Sequence, residues 1–295
     1  MLGIDDLKGE LGLNVSTFIG CDAPYGRAET VLFGAPFDST TSYRPGTRFA
    51  PSAMRDGSAF GIEPYSPYFD ADIADCNVCD IGDLMLSFGD AEYAVGVIEA
   101  AFRRVMGDGK RPLMIGGEHL VTLGGVKAAA DRHKDLRILH FDAHADLRDA
   151  FFGRKLSHAT VLRRCYDIVG GGRIYQLGIR SGDKDEFEFM KTHTRACPFN
   201  CDKFDEYAAE LAGYPVYLTL DLDVLDSSVM PGTGTPEAGG ISFAELVRCF
   251  LRLRSLNVDI VAADIVELSP PCDPLGGSVA TACKTLREML LGISK

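Results

Sequence analysis

Six side chains in this sequence have the types and spacing to hold metal ions. The stretch ILHFDAHADLR, residues 138–148, ends an apolar run in Asp142, His144 and Asp146, each separated from the next by one alanine. His119 closes PLMIGGEH, and Asp221 and Asp223 close VYLTLDLD. If the backbone stays extended past residue 141, strand alternation sends Asp142, His144 and Asp146 to one side and Ala143 and Ala145 to the other. Asp221 and Asp223 share a side by the same rule. Together these are four carboxylates and two imidazoles with no thiol, a formal charge of -4. Buried and unpaired, that charge would be prohibitive, whereas two divalent cations would offset it. The oxygen-rich set suits manganese, with iron, cobalt or nickel as alternatives, because a structural zinc site more often uses cysteine. Two such ions activate water and polarise the bond it attacks, so the chemistry indicated is metal-assisted hydrolysis. A single fragment of this kind is often only a helix cap or a packed histidine. Three fragments, each at the end of an apolar run, make that explanation hard to sustain.

The elements that must position these residues alternate. Strand-like runs fall at 30–35, 112–116, 137–141, 174–179, 215–221 and 258–266. Helical periodicity covers 91–106, a further helix follows His119, and SFAE at 242–245 has capping-box spacing. Strands alternating with helices predict an α/β fold with a mainly parallel sheet covered on both faces. Such sheets place ligands beyond the carboxyl ends of their strands, where all six residues fall. His140 is expected to pack within its strand. The clusters SYRPGTRFAP and MPGTGTPEAGG read as ordered loops around a site.

Composition narrows the partners. With 46% apolar and 24% charged residues among 295, the chain reads as one globular domain over 1–295, with about 1–28 as an N-terminal arm. A net charge of -12 argues against nucleic acid and favours a small cationic ligand. No apolar run reaches the ~18 residues of a membrane span, and MLGIDDLKGELG lacks the pattern of a signal peptide, so no membrane partner and a cytoplasmic location are expected. Nine cysteines scattered along the chain do not form a disulfide framework. Cys76 with Cys79, and Cys197 with Cys201, have zinc-like spacing, but the pairs are far apart and lack the context of a finger or redox motif.

With these motifs in order, from GAPFDSTTSYRPGTRFAPSAMR through GGEH, DAHAD, LSHAT and GIRSG to DLDVLD, PGTGTPEAGG and DIVELSPPCD, the chain resembles the ureohydrolase family. That family contains arginase, agmatinase and related enzymes that hydrolyse guanidino compounds to an amine and urea, and the segments look most like those of bacterial agmatinases. The resemblance implies a three-layer α/β/α, arginase-like fold and two Mn2+ ions per chain. It assigns His119, Asp142, Asp146 and Asp221 to one ion and Asp142, His144, Asp221 and Asp223 to the other. It further implies that Asp146 and His158 move protons, that Glu267 and Thr235 bind the guanidinium with His158 near the mouth, and that the chain is a homo-oligomer, a trimer or hexamer. SHAT in place of SHGT, Ser227 where proline is frequent, and Leu120 where serine is frequent depart from the common pattern; none is an expected ligand.

The expected reaction is cleavage of agmatine to putrescine and urea, with guanidinobutyrate, guanidinopropionate or arginine as alternative substrates. Arginases recognise the substrate carboxylate partly through an asparagine in the segment before the His158 position, and DLRDAFFGRKLSH has none. Arg148, Arg154 and Lys155 in that segment are cations that an acid tail would suit. A deacetylase of the acetylpolyamine type would need a tandem histidine pair, which is absent. A binding scaffold of the same fold would not need to keep all six ligands, His158 and Glu267.

Overall fold

The computed structural model describes residues 16–294, so residues 1–15 of the expected N-terminal arm lie outside the described residues. In chain order the strands are β1 (Thr30–Gly34), β2 (Tyr65–Ser66), β3 (Ala71–Asp72), β4 (Val78–Asp83), β5 (Arg111–Ile115), β6 (Arg137–Phe141), β7 (Ile174–Leu177), β8 (Arg195–Cys197), β9 (Val216–Asp221) and β10 (Ile260–Val266). The α-helices among the described residues are α1 (Ala50–Gly61), α2 (Ala91–Gly107), α3 (Thr122–Arg132), α4 (Val161–Val169), α5 (Lys184–His193), α6 (Phe204–Leu211), α7 (Phe243–Ser255) and α8 (Gly277–Ile293). None is long and apolar enough to cross a membrane.

Eight strands form one sheet in the order β4-β1-β5-β10-β9-β6-β7-β8, with parallel pairing throughout. Strand alternation divides the core in two. Phe33, Met114, Ile138, Tyr217 and Ala262 face α2, α3 and α4, where they meet Ile98, Phe102, Val126 and Leu162. Leu32, Leu113, Leu139, Leu218 and Ala263 face Met54, Phe204, Phe250 and Leu286 of α1, α6, α7 and α8. The result is a three-layer α/β/α fold with both sheet faces dry, which is why β1 and β9 are buried at every position. The capping box of α7 forms as its spacing predicts: Glu245 N–H donates to Ser242 Oγ at 3.2 Å and Ser242 N–H to Glu245 Oε2 at 2.9 Å.

Two strands of the sheet escaped the sequence pattern. β4 reads VCDIGD, an edge strand with polar and glycine positions, and β8 is only three residues long. β4 is tied to the fold electrostatically as well as by its ladder. Arg55 of α1, 4% exposed, donates through Nε to Asp80 Oδ2 at 2.8 Å and through Nη2 to Asp80 Oδ1 at 3.0 Å, and it also pairs with Asp83. Asp80 accepts further N–H groups from Phe18 at 2.9 Å and Gly82 at 3.0 Å. Removing the guanidinium leaves a buried carboxylate without its cation, so Arg55→Leu should destabilise the fold by about 3–5 kcal/mol. A chemical-denaturation midpoint unchanged from the wild type would contradict that role.

Candidate metal centre

The carboxyl ends of four neighbouring strands, β5, β10, β9 and β6, converge on one point, and each delivers a chemically active side chain. β5 leads through Gly116 and Gly117 to His119, β6 to Asp142, and β9 to Asp221 and Asp223, while β10 ends at Glu267. Gly117 is required by close approach: a Cβ there would stand 1.8 Å from the carbonyl oxygen of Phe37. His119, Asp142, Asp146, Asp221, Asp223 and Glu267 are buried and His144 half-buried.

The ring of His119 shows what the centre requires. Thr219 Oγ1 donates to Asp264 Oδ1 at 2.6 Å, so it accepts from His119 Nε2–H at 3.0 Å. Tyr217 donates to the other oxygen of Asp264, also at 2.6 Å, which fixes the carboxylate as an acceptor. His119 Nδ1 then turns its lone pair toward Asp142 Oδ2 at 3.0 Å, Asp146 Oδ2 at 3.2 Å and Asp221 Oδ2 at 3.3 Å. It is buried and has no aligned hydrogen-bond partner, and the same is true of Asp223 Oδ2. A lone pair facing three anionic oxygens is repulsive unless a cation lies among them, so the donor set fits a divalent metal. Burial disfavours a charge on His119, yet the surrounding carboxylates outweigh it and push its pKa well up, so without a metal a proton on Nδ1 would take the place of that cation. Burial and the charge of Asp142 push Asp146 up to about 7.

A second group adjoins the first. His144 Nδ1 lies 3.0 Å from Asp223 Oδ2 and 3.5 Å from Asp142 Oδ1. Asp142 therefore directs one oxygen toward each histidine, and Asp142, His144 and Asp223 form a compact candidate group whose ligand atoms all lie within 4.8 Å of one another. Backbone donors aim these carboxylates: Ala143 N–H to Asp223 Oδ1 at 3.0 Å, His144 N–H to Asp142 Oδ1 at 2.6 Å, and Asp223 N–H to Asp221 Oδ1 at 2.9 Å. Arg180 of the GIRSG motif holds the loops behind them, donating to the carbonyls of Asp223 at 2.6 Å and Glu237 at 3.0 Å.

A cavity of about 120 Å³ opens over the cluster, lined by His119, His144, Asp146, Asp221, Thr235, His158 and Glu267 among others. The six expected ligands, His158, Thr235 and Glu267 are thus in or beside one site, with Asp142 and Asp223 beneath the lining. The expected extended backbone does not persist to Asp146, whose φ of 53° lies in the left-handed region; the turn nevertheless brings its carboxylate to His119. Glu267 has the same uncommon conformation, with φ of 68°, and its Oε1 accepts His119 N–H at 2.7 Å. Burial, with Glu118 nearby, pushes the pKa of Glu267 well up. His158 Nε2 lies 3.2 Å from Ser42 Oγ, and burial pushes its pKa down to about 4, so the ring is neutral at pH 7.

Sequence reasoning missed three supporting residues. His140 packs within β6 as expected, but it also places Nε2 2.8 Å from Asp142 Oδ2 while Gln176 Nε2–H donates to its Nδ1 at 3.2 Å. Strand parity could have found it, since residues 140, 142 and 144 alternate on one side. Glu118 accepts Thr40 Oγ1–H at 2.6 Å and Thr40 N–H at 2.8 Å, and Thr40 Oγ1 accepts His158 N–H at 3.0 Å. Thr219 had no local signal. Among the described residues, no cysteine joins a candidate metal group.

With the geometry in place, similarity to known proteins is extensive. The arginase family pattern matches residues 28–292. An agmatinase of Bacillus subtilis strain 168 is 43% identical over 284 residues, covering 94% of this chain and 96% of its own length. A guanidinobutyrase of Pseudomonas aeruginosa is 34% identical, with 89% and 85% covered. The crystal structure of an agmatine ureohydrolase of Thermoplasma volcanium, 33% identical, superposes with a TM-score of 0.86 over 98% of this chain and 97% of that one. The arrangement around His119 makes a direct prediction. Thr219→Val keeps the volume but removes the acceptor for Nε2–H, and should weaken divalent-metal binding about 10–100-fold in calorimetric titration; unchanged affinity would show that this contact does not orient the ring.

Proposed function

The chain belongs to the arginase family and is a hydrolase of that family acting on guanidino or amidine substrates, and from this premise we propose that it cleaves agmatine to putrescine and urea with two manganese ions per chain. The observation that carries the reading is that Glu267 and the carboxylate–imidazole cluster open onto the same cavity. In this reading His119, Asp142, Asp146 and Asp221 hold one ion, and Asp142, His144, Asp221 and Asp223 hold the other. When bound, the ions supply a strong nucleophile from water at neutral pH.

The chain's own residues supply the rest. A guanidinium is planar, delocalised and a poor electrophile, so it must be held in one orientation. Glu267 grips it through a carboxylate already oriented by His119 N–H, and Thr235 flanks it on the cavity wall. Asp146, which lines the cavity beside His119, protonates the leaving amine. His158, neutral and beside Ser42, connects the cavity to solvent for the exchange of the proton released when water is activated.

Agmatine is favoured over acid-tailed substrates by two observations. Four bacterial relatives named agmatinase are 40–43% identical, whereas a relative named guanidinobutyrase is 34% identical, the same value as an agmatinase of Pyrococcus horikoshii. Arg154 and Lys155 line a neighbouring cavity with Ser39 and Glu92, and do not line the one that holds Glu267. Assembly as a trimer or hexamer belongs to the same reading; Phe60, Met85, Phe88 and Leu275 are exposed apolar surface that such an assembly would cover.

The manganese-loaded protein should release urea from agmatine with kcat/KM above that for arginine or guanidinobutyrate, and a higher value on either would overturn the substrate assignment. Glu267→Gln should lower kcat/KM on the order of a hundredfold while keeping both ions. A fall in metal content parallel to activity would remove Glu267 from substrate binding.

A further inference from the structure

Within that cavity, the wall away from Glu267 carries a cation whose charge is already matched. Arg148 lines the cavity, and its Nε donates to Glu186 Oε2 at 3.1 Å and lies 3.6 Å from Asp183 Oδ2. Its guanidinium carbon stands 4.9 Å from the ring centroid of Phe151, which also lines the cavity and meets the ring of His158 edge-on. Glu186 is held firmly. It is 3% exposed, its Oε1 accepts Leu147 N–H at 2.9 Å, and its Oε2 accepts Asp183 N–H at 2.9 Å. Asp183 completes the capping box of α5 by accepting Glu186 N–H at 3.0 Å.

Arg148 is thus faced by two carboxylates, Glu186 in the cavity lining and the half-exposed Asp183 behind it. A substrate tail passing Arg148 therefore meets a net negative field, although the nearest side chain is a cation. An unpaired arginine in the same place would attract a carboxylate through its two remaining nitrogens. Glu186 counters this by offsetting the charge through its contact with Nε.

We propose that Glu186 is a specificity-determining positioning residue: by holding and neutralising Arg148 beside Asp183, it makes the cavity select guanidino compounds with a cationic tail over those with an anionic one. The inference deepens the proposed activity and rests on reading the cavity as a guanidino site. It requires no contact between Glu186 and the substrate, because the effect is transmitted through Arg148.

The test is the ratio of kcat/KM for agmatine to that for 4-guanidinobutyrate, measured on the manganese-loaded full chain. Glu186→Gln keeps the side-chain shape and frees the charge of Arg148, so the ratio should fall about tenfold or more. Arg148→Gln removes the cation and leaves both carboxylates, so the ratio should rise, and it supplies an independent test if Glu186→Gln does not fold. In the Arg148→Gln background, adding Glu186→Gln should change the ratio less than it does in the wild type. A purely structural role would lower both substrates together. Ratios within twofold of the wild type in both single variants would overturn the inference and leave the agmatine reading standing. A wild type that prefers 4-guanidinobutyrate, or releases urea from neither compound, would overturn both.

Discussion

Four carboxylates drawn around two imidazoles in a buried site are stable only with cations among them, and much of the surrounding structure serves that requirement. Asp264, Thr219 and Tyr217 form the buried chain that leaves His119 Nδ1 bare toward the carboxylates. His140 and the backbone N–H of His144 steady Asp142. The sheet order brings β5, β10, β9 and β6 side by side, so residues more than a hundred positions apart meet at one edge. The left-handed turns at Asp146 and Glu267 belong to the same constraint, because they bring one carboxylate to the ring of His119 and the other to its backbone N–H.

The candidate ligand cluster and the central strands were legible in the sequence for a shared physical reason. A strand buried on both faces must be apolar and β-branched, and a carboxylate or imidazole that interrupts such a run stands out. β6 and the aspartates that follow it are the clearest case. β4 was not legible because an edge strand escapes that constraint and is stabilised partly by Arg55, whose partners Asp80 and Asp83 are distant in sequence. α1 was equally hidden: its sequence, APSAMRDGSAFG, is rich in small residues and carries two glycines.

Around the site, legibility fell with distance from the ligands. Glu267 and His158 entered through resemblance, since a carboxylate after a strand or a histidine at a helix start has no distinctive local pattern. Glu118, Thr40 and Ser42 acquire meaning only when the segment after β1 folds over the end of β5. Arg148 shows the limit most clearly. Read from sequence it is a candidate anion binder, whereas the carboxylates that neutralise it, Glu186 and Asp183, arrive from the start of a helix nearly forty residues later.

Anomalous diffraction at the manganese absorption edge, from crystals of the manganese-loaded protein, tests the central claim most directly. The account predicts two peaks per chain, one beside His119 Nδ1 and one beside His144 Nδ1, with Asp142 contacting both. A single peak, or peaks away from the ends of β5, β6 and β9, would contradict it.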